Sequence, residues 1–290
     1  MTTESTVLFD APGPATRRRH LLYSGLFLLV LVGVVAWVFV RLDDAGQLEG
    51  EIFDRLFAEN IVSAILDGLL NTLKAAVLAI VLAVLLGFVL ATGRLSDHAW
   101  IRWPATAVIE FFRAVPLLLL IIFIFALLGG RGLETQTRGL MALVGGLMLY
   151  NGSVLAEVFR AGVNAVPKGQ AEAAYAIGMR KTQVLMIIQM PQAVRFMLPA
   201  IISQCVVALK DTSLGFAAAY LELLRQGRLI AEFVGNNLWT YVMIALIYIV
   251  LNSIVSAIAT VLEKRLRQRG RGSAPTTAVM TTDDGLVQRA

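Results

Sequence analysis

Residues 168–199 read KGQAEAAYAIGMRKTQVLMIIQMPQAVRFMLP and separate two long apolar stretches of the chain. Small helix-forming residues from Glu172 to Met179 predict a short helix, which Gly178 then ends. Apolar side chains recur beyond it at helical spacing, at Val184, Ile187 and Ile188. Pro191 should stop that run. The segment therefore predicts a short helix, a turn and an amphipathic stretch that leads into the next apolar stretch.

The short helix has two properties that suit docking against another protein. Ala173, Ala174 and Ala176 leave little side-chain bulk, so a partner's surface can approach the backbone closely. Glu172 falls in the predicted first turn, where the helix dipole favours a carboxylate. A surface helix that lies on the membrane with an ordinary cap explains these residues equally well.

The composition places most of the chain in lipid. Apolar residues make up 58% of the 290 residues and charged residues 16%, whereas soluble domains carry about 25% charged residues. A membrane helix needs about 20 mostly apolar residues. Six stretches are at least about this long, namely 21–41, 61–92, 104–128, 139–160, 196–220 and 238–262. The expected fold class is therefore all-α, a polytopic membrane protein with about six transmembrane helices.

The first apolar stretch follows the basic residues Arg17, Arg18 and Arg19. It is longer than the apolar region of a signal peptide, which has about 7–15 residues, and no small-x-small cleavage site follows it closely. We therefore expect a retained first transmembrane helix at 21–41. The tails at 1–20 and 266–290 are predicted to be disordered.

The charges of the connections alternate along the chain. Both tails and the connections 93–103 and 161–195 are basic, whereas the connection 42–60 holds six acidic residues and one arginine. Because Lys and Arg favour the cytoplasm, the pattern predicts a multi-pass protein of the plasma membrane with both termini cytoplasmic. Basic residues beside apolar runs are typical of membrane topology and not of nucleic-acid binding.

Two adjacent charged residues, Lys210 and Asp211, interrupt the apolar run from Val206 to Tyr220. Each ionisable group at mid-bilayer costs at least about 2.5–3.5 kcal/mol. Adjacent residues of a helix point apart, so either the helix is broken here or each group has a partner elsewhere. With Thr212 and Ser213 they are candidates to line a translocation path, where Lys210 would attract a carboxylate and Asp211 an amine. The alternatives are a structural polar cluster or a loop close to the interface.

Other polar residues in the apolar stretches predict local contacts. Glu110 and Arg113, like Glu157 and Arg160, are three residues apart and predict two ion pairs near helix ends.

The polar uncharged residues are fewer. Asn151 and Ser153 are candidates to line a cavity, while Asn71 and Thr72 should hydrogen-bond across helices. Pro116 should kink or begin a helix.

The segment 168–199 resembles the EAA motif of ABC importer permeases, which reads Glu-Ala-Ala, three residues, then Gly. Here Glu172-Ala173-Ala174 is followed by Gly178. The longer string with GQAEAA, IGM, MPQA and LP is similar to polar amino-acid permeases of the histidine and glutamate type. Further family-like segments occur in order over residues 60–265, at Asn71-Thr72-Leu73, Glu110-Phe111-Phe112-Arg113-Ala114-Val115-Pro116, Glu157, Arg160, Gly162, Lys210-Asp211-Thr212-Ser213-Leu214 and Glu222-Leu223.

The resemblance implies a type I ABC importer permease fold, with a transmembrane core at 60–265 and a coupling loop at 161–195. In this family the loop forms a helix that seats in a groove of a cytoplasmic ATPase dimer, whose closure rocks the membrane helices. Carried over by position, the ATPase contact would consist of Glu172, Ala173, Ala174 and Gly178, with Arg180 and Lys181 at its edge.

The resemblance also implies the partners of the chain. They are a second permease (self or sister subunit), two ATPases, an extracytoplasmic solute-binding protein and membrane lipid, with no nucleic acid. The chain itself is expected to bind no cofactor and to be no enzyme, because the partner ATPase uses the ATP. The sequence agrees, since none of its five lysines follows a glycine and the GxxxxGK[ST] motif is absent.

The expected substrate is a polar amino acid. The Arg-, Ala- and Val-rich character and the opening TVLFDAPGP resemble actinobacterial glutamate-type permeases. Two other classes compete with this interpretation. An ion-driven secondary transporter should carry repeated broken helices and intramembrane carboxylates, but only the helix with Lys210 looks broken. A non-transporting scaffold would not need Lys210 and Asp211 in lipid.

Overall fold

The regular elements of the computed structural model, which describes residues 13–48 and 50–271, are all helical. The α-helices are α1 (Pro14–Asp44), α2 (Gly50–Leu56), α3 (Glu59–Arg94), α4 (Ala99–Ala114), α5 (Leu117–Leu127), α6 (Thr135–Asn164), α7 (Lys168–Ala176), α8 (Lys181–Gln183), α9 (Met190–Asp211), α10 (Leu223–Val234) and α11 (Asn237–Arg271). A π-helical turn (Val184–Gln189) precedes α9, and a 3-10 helix (Thr212–Ala218) follows it.

Six membrane crossings are compatible with these helices, as predicted. Five helical segments of the described chain are long and apolar enough to span a membrane, and α4 with α5 forms a sixth only if the bent pair counts as one crossing. The predicted stretch 104–128 is bent, because α4 and α5 meet at 104°, and α5 begins directly after Pro116, where a kink or a helix start was expected. Val115 is extended before Pro116, as expected for a residue that precedes proline.

The boundaries of the predicted disordered tails are partly wrong. α1 begins at Pro14, with the proline in its first turn, and so includes the last seven residues of the predicted tail 1–20. α11 continues to Arg271, past the predicted boundary at 266. The rest of both predicted tails, 1–12 and 272–290, lies outside the described residues.

The main packing contact of the bundle is between α3 and α6. α3 presents a buried row of small residues at every fourth position, which are Ala75, Ala79, Ala83, Gly87 and Ala91. Small residues let the backbones of membrane helices approach closely. A Cβ atom at Gly87 would lie 2.8 Å from the Gly152 carbonyl oxygen of α6, so this crossing requires glycine.

The connection 42–60 contains α2, which packs against the start of α11. The Trp239 indole N–H donates to the Gln47 carbonyl oxygen at 2.5 Å, and the Phe53 ring lies 5.4 Å from the Trp239 ring. By contrast, none of the apolar span of α1 is buried inside the described chain.

The path from α7 to α10 contains two irregular segments. Pro191 was expected to stop the preceding helical run, but the π-helical turn continues into α9 and the proline occupies its first turn. Proline has no N–H group, and this costs no hydrogen bond in the first turn, because an N–H group there has no partner within the helix. The expected break near Lys210 does occur, since α9 ends at Asp211 and Ala219 adopts a left-handed φ of 55°.

Candidate functional site

The α6–α9 connection, residues 165–189, has the predicted order of a short helix, a turn and a second helical segment. The helix begins at Lys168, four residues before Glu172, so the prediction that Glu172 lies in the first turn is wrong. Gly178 has a φ of 82°. Only glycine adopts this conformation without steric cost, which explains its place in the turn.

The residues that were predicted to contact an ATPase differ in their exposure to solvent. Glu172, Ala173, Gly178, Arg180 and Lys181 are exposed. Ala174 is 4% exposed, so its side chain packs inside the chain and cannot contribute to an outer surface as predicted.

The sequence interpretation missed the apolar side chains that this connection exposes, namely Tyr175, Ile177, Met186 and Ile187. Ile177 is 79% exposed at the tip of the turn. Exposed apolar side chains that belong to one segment are typical of a surface that contacts another protein or the membrane.

The α3–α4 corner, residues 94–98, contacts the α6–α9 connection through an ion pair. The Lys181 ammonium group contacts the Asp97 carboxylate. This hydrogen bond holds the pKa of Asp97 below its usual value. Both side chains are largely exposed, so the pair contributes little to stability.

A chain of alternating charges connects the ends of α3, α4 and α6. The two predicted ion pairs form, with 3.4 Å between Arg113 and Glu110 and 2.9 Å between Arg160 and Glu157. Arg94 joins them, because its Nη1 lies 3.1 Å from Glu110 Oε1 and 2.5 Å from Glu157 Oε1. The sequence interpretation treated Arg94 only as a loop charge and missed this role.

A groove of about 780 Å³ lies along α11 beside the end of α9, and we call it the α9–α11 groove. Its polar lining comes from both helices and from the 3-10 helix, and consists of Lys210, Ser213, Tyr241, Tyr248, Asn252, Ser253 and Ser256. Among the described residues no carboxylate forms an ion pair with Lys210. The groove therefore offers a free cation and several hydroxyl groups to a small polar molecule.

The other predicted path residues do not line this groove. Asp211 is half-buried outside its lining, and Thr212 is fully buried with its hydroxyl group bonded to the Leu209 carbonyl oxygen at 2.6 Å. Asn151 accepts from Gln204 Nε2 at 2.6 Å, and Ser153 donates to a carbonyl oxygen of its own helix. Both of these side chains are buried, and the bond between Asn151 and Gln204 connects α6 to α9.

A buried polar cluster lies beside the groove. Asn71 donates to the carbonyl oxygen of Leu221, in the segment before α10, at 2.9 Å. The Thr72 hydroxyl group accepts from the N–H of Leu223, the first residue of α10, at 3.0 Å, as predicted for a bond between helices. Glu222 caps α10 by accepting from two backbone N–H groups. Its Oε2 also accepts from the hydroxyl group of the groove residue Tyr248 at 2.8 Å.

Known proteins resemble this arrangement over most of the chain. Residues 83–268 match the model of a family described as the binding-protein-dependent transport system inner membrane component. The glutamate transport system permease protein GluD of Corynebacterium glutamicum is 42% identical over 202 residues, which cover 69% of this chain and 74% of that protein. A probable glutamine ABC transporter permease of Bacillus subtilis is 33% identical, over 63% of this chain and 83% of that protein.

Solved structures agree with the sequence comparisons. The structure of an amino acid ABC transporter with histidines has a TM-score of 0.65 and 30% sequence identity, and the match covers 71% of this chain and 95% of that one. Such relatives are transport components and not enzymes. The chain belongs to the binding-protein-dependent transport family of inner membrane components, in which it is a permease subunit of an amino-acid ABC importer.

Proposed function

We propose that this permease imports an acidic amino acid, with glutamate as the first candidate, along the α9–α11 groove. The observation that carries the proposal is the ammonium group of Lys210, which forms no ion pair among the described residues and lies in a groove that also contains the hydroxyl groups of Ser213, Tyr241, Ser253 and Ser256. The identity to a glutamate permease supports the same substrate. Asp211 and Thr212 remain path candidates only if transport moves them towards the groove.

The α6–α9 connection would be the coupling loop of the importer. Its exposed residues Glu172, Ala173, Gly178 and Ile177 would contact a cytoplasmic ATPase dimer, with Arg180 and Lys181 at the edge. ATP would bind only to the ATPase. The assembly would also contain a second permease and an extracytoplasmic binding protein. In this arrangement the chain would lie in the plasma membrane with both termini in the cytoplasm.

Uptake of labelled amino acids tests the substrate. A strain that lacks its own glutamate importer should regain glutamate uptake with the intact system. Lys210→Met should lower glutamate uptake at least about tenfold, because a hydrogen bond to a charged group contributes about 1.5–3 kcal/mol. Glutamine uptake, where it occurs, should change less, because its side chain has no charge.

The matched control is Lys74→Met. Lys74 is an exposed lysine on α3 that does not line the groove, so glutamate uptake should persist. Unchanged glutamate uptake in Lys210→Met, or a system that takes up arginine and no glutamate, contradicts the proposal.

Bulky residues in the α6–α9 connection should detach the ATPase. Glu172→Trp and Gly178→Trp place an indole ring where a partner would approach, and the second also strains the left-handed turn. We expect at least about tenfold less ATPase to co-purify, which corresponds to about 1.4 kcal/mol of binding free energy.

Two positions at the other end of the bundle provide controls for this experiment. Gly130→Trp repeats the change at a glycine with a φ of 74° and open space around it. Glu134→Trp repeats it at an exposed glutamate. Both should keep the ATPase. Co-purification that survives both changes in the connection would refute the coupling role.

A further inference from the structure

The α3–α4 corner contacts the chain on both sides of α7. Before α7, Arg94 is bonded to Glu157, which lies seven residues before the end of α6. After α7, Asp97 is bonded to Lys181. Through Arg94 and Glu110 the same corner also holds α4. Two residues of the corner, Arg94 and Asp97, therefore contact α4, α6 and the chain after α7.

Apolar packing at the α3–α4 corner adds to these polar contacts. Leu95 of the corner packs against a cluster from α6, the π-helical turn and α9, which consists of Val163, Val166, Leu185, Met190 and Ala193. α7 rests on the same π-helical turn. A displacement of α7 would therefore press on the corner through both the charged and the apolar contacts.

The exposed fractions of the charged side chains show which ion pair is most costly to break. The Arg94 and Glu157 side chains are each 19% exposed. The other charged side chains of these ion pairs are between 36% and 66% exposed, namely Asp97, Glu110, Arg113, Arg160 and Lys181. Exposed pairs are screened and contribute little. A mostly buried pair is costly to break, because the remaining charge has lost both water and partner. Arg94 is thus the member whose loss should most weaken the polar link among α3, α4 and α6.

We infer that Arg94 is a positioning residue that makes the α6–α9 connection, α3, α4 and α6 move as one unit when the ATPase displaces the connection. The inference rests on the proposed coupling role of that connection. Arg94 does not touch the substrate in this scheme. It acts through Glu110 and Glu157, because its rigid fork can donate to two carboxylates on different helices at once.

The first measurement is the amount of substrate carried per ATP hydrolysed by the complete importer in liposomes. Arg94→Gln should lower this ratio at least about fivefold, the lower limit of typical coupling between sites. Arg55→Gln is the matched control, since Arg55 forms an exposed pair with Glu51 on α2. Arg94→Lys keeps the charge but not the fork, and its ratio should lie between those of Arg94→Gln and the wild type.

The second measurement needs no substrate. Spin labels are attached to cysteines that replace the exposed residues Trp103 on α4 and Lys168 on α7. Cys205→Ser removes the native free cysteine, and the labelled chain is measured in complex with the ATPase. With Arg94 present, their distance should stay the same with and without ATP. In Arg94→Gln it should change on ATP binding.

The outcomes separate this inference from the proposed function. A wild-type label distance that changes with ATP overturns the inference, and so does a wild-type transport ratio in Arg94→Gln. If Arg94→Gln does not assemble, a wild-type ratio in Arg94→Lys overturns it. Failure of glutamate uptake contradicts only the proposed substrate, because the label distance does not depend on it.

Discussion

Glu222→Ala should lower the free energy of unfolding by about 3 kcal/mol or more, since each buried group left without a partner costs about 1–3 kcal/mol. The side chain is fully buried. Its two oxygens accept from the N–H groups of Leu224 and Arg225 at 2.7 Å each and from the Tyr248 hydroxyl group at 2.8 Å. Alanine removes all three acceptor contacts and the cap of α10. Thermal unfolding of the purified permease in detergent measures the change.

Glu232→Ala on the same helix is the control for this prediction. Glu232 forms an exposed pair with Arg228 at 3.0 Å. Exposed pairs of this kind contribute about 0–1 kcal/mol, so the unfolding temperature should hardly move. Equal effects of the two changes would show that the buried cluster does not hold α10 in place.

Gly87→Leu should destabilise the bundle by about 3 kcal/mol, at the upper end of the usual cost of overpacking. A Cβ atom at this position would lie 2.8 Å from both the Gly152 carbonyl oxygen and Leu155 Cβ. Backbone atoms cannot turn aside as a flexible side chain can, so α3 and α6 would have to separate. We expect a lower unfolding temperature and a smaller folded yield by size-exclusion chromatography.

Gly33→Leu is the matched control for the α3–α6 crossing. Gly33 lies on α1, and nothing is within 4 Å of a Cβ atom built there. The larger apolar side chain should leave the unfolding temperature almost unchanged. A similar loss of stability at both positions would contradict the close approach of α3 and α6.

The sequence predicted those parts of the fold that depend on the solvent and on local chemistry. Long apolar runs identified the five long spans and the bent α4–α5 pair, because a segment that crosses lipid has to be apolar and regular. Gly178 indicated its turn because only glycine tolerates that backbone conformation. The pairs Glu110–Arg113 and Glu157–Arg160 were predictable because residues three apart on a helix are neighbours.

Contacts between distant segments were not predictable in this way. Arg94 lies 63 residues from Glu157, and no helical spacing connects them. The tie between Asp97 and Lys181 and the cap at Glu222 depend on how helices cross. One missed feature did have a signal in the sequence, because small residues at every fourth position of α3 indicate a packing face.

The candidate path was predicted only on one side. Lys210 and Ser213 could be chosen because charges and hydroxyl groups in an apolar run are conspicuous. The opposite wall, with Tyr241, Asn252 and Ser256 on α11, could not, since polar residues in a long helix do not reveal which neighbour they face. Asn151 was misjudged for the same reason, because its partner Gln204 is on another helix.

The lack of packing around α1 has a consequence for biogenesis. During synthesis this helix leaves the ribosome before α3, and it can partition into lipid with its own apolar surface alone, since within the described chain no part of its apolar span is buried. The core then assembles behind a segment that is already in the bilayer and is joined to it by a short connection, in which the Gln47 carbonyl oxygen accepts from Trp239 of α11. Truncation before Gly50 should therefore alter targeting and insertion yield more than it alters the folded core.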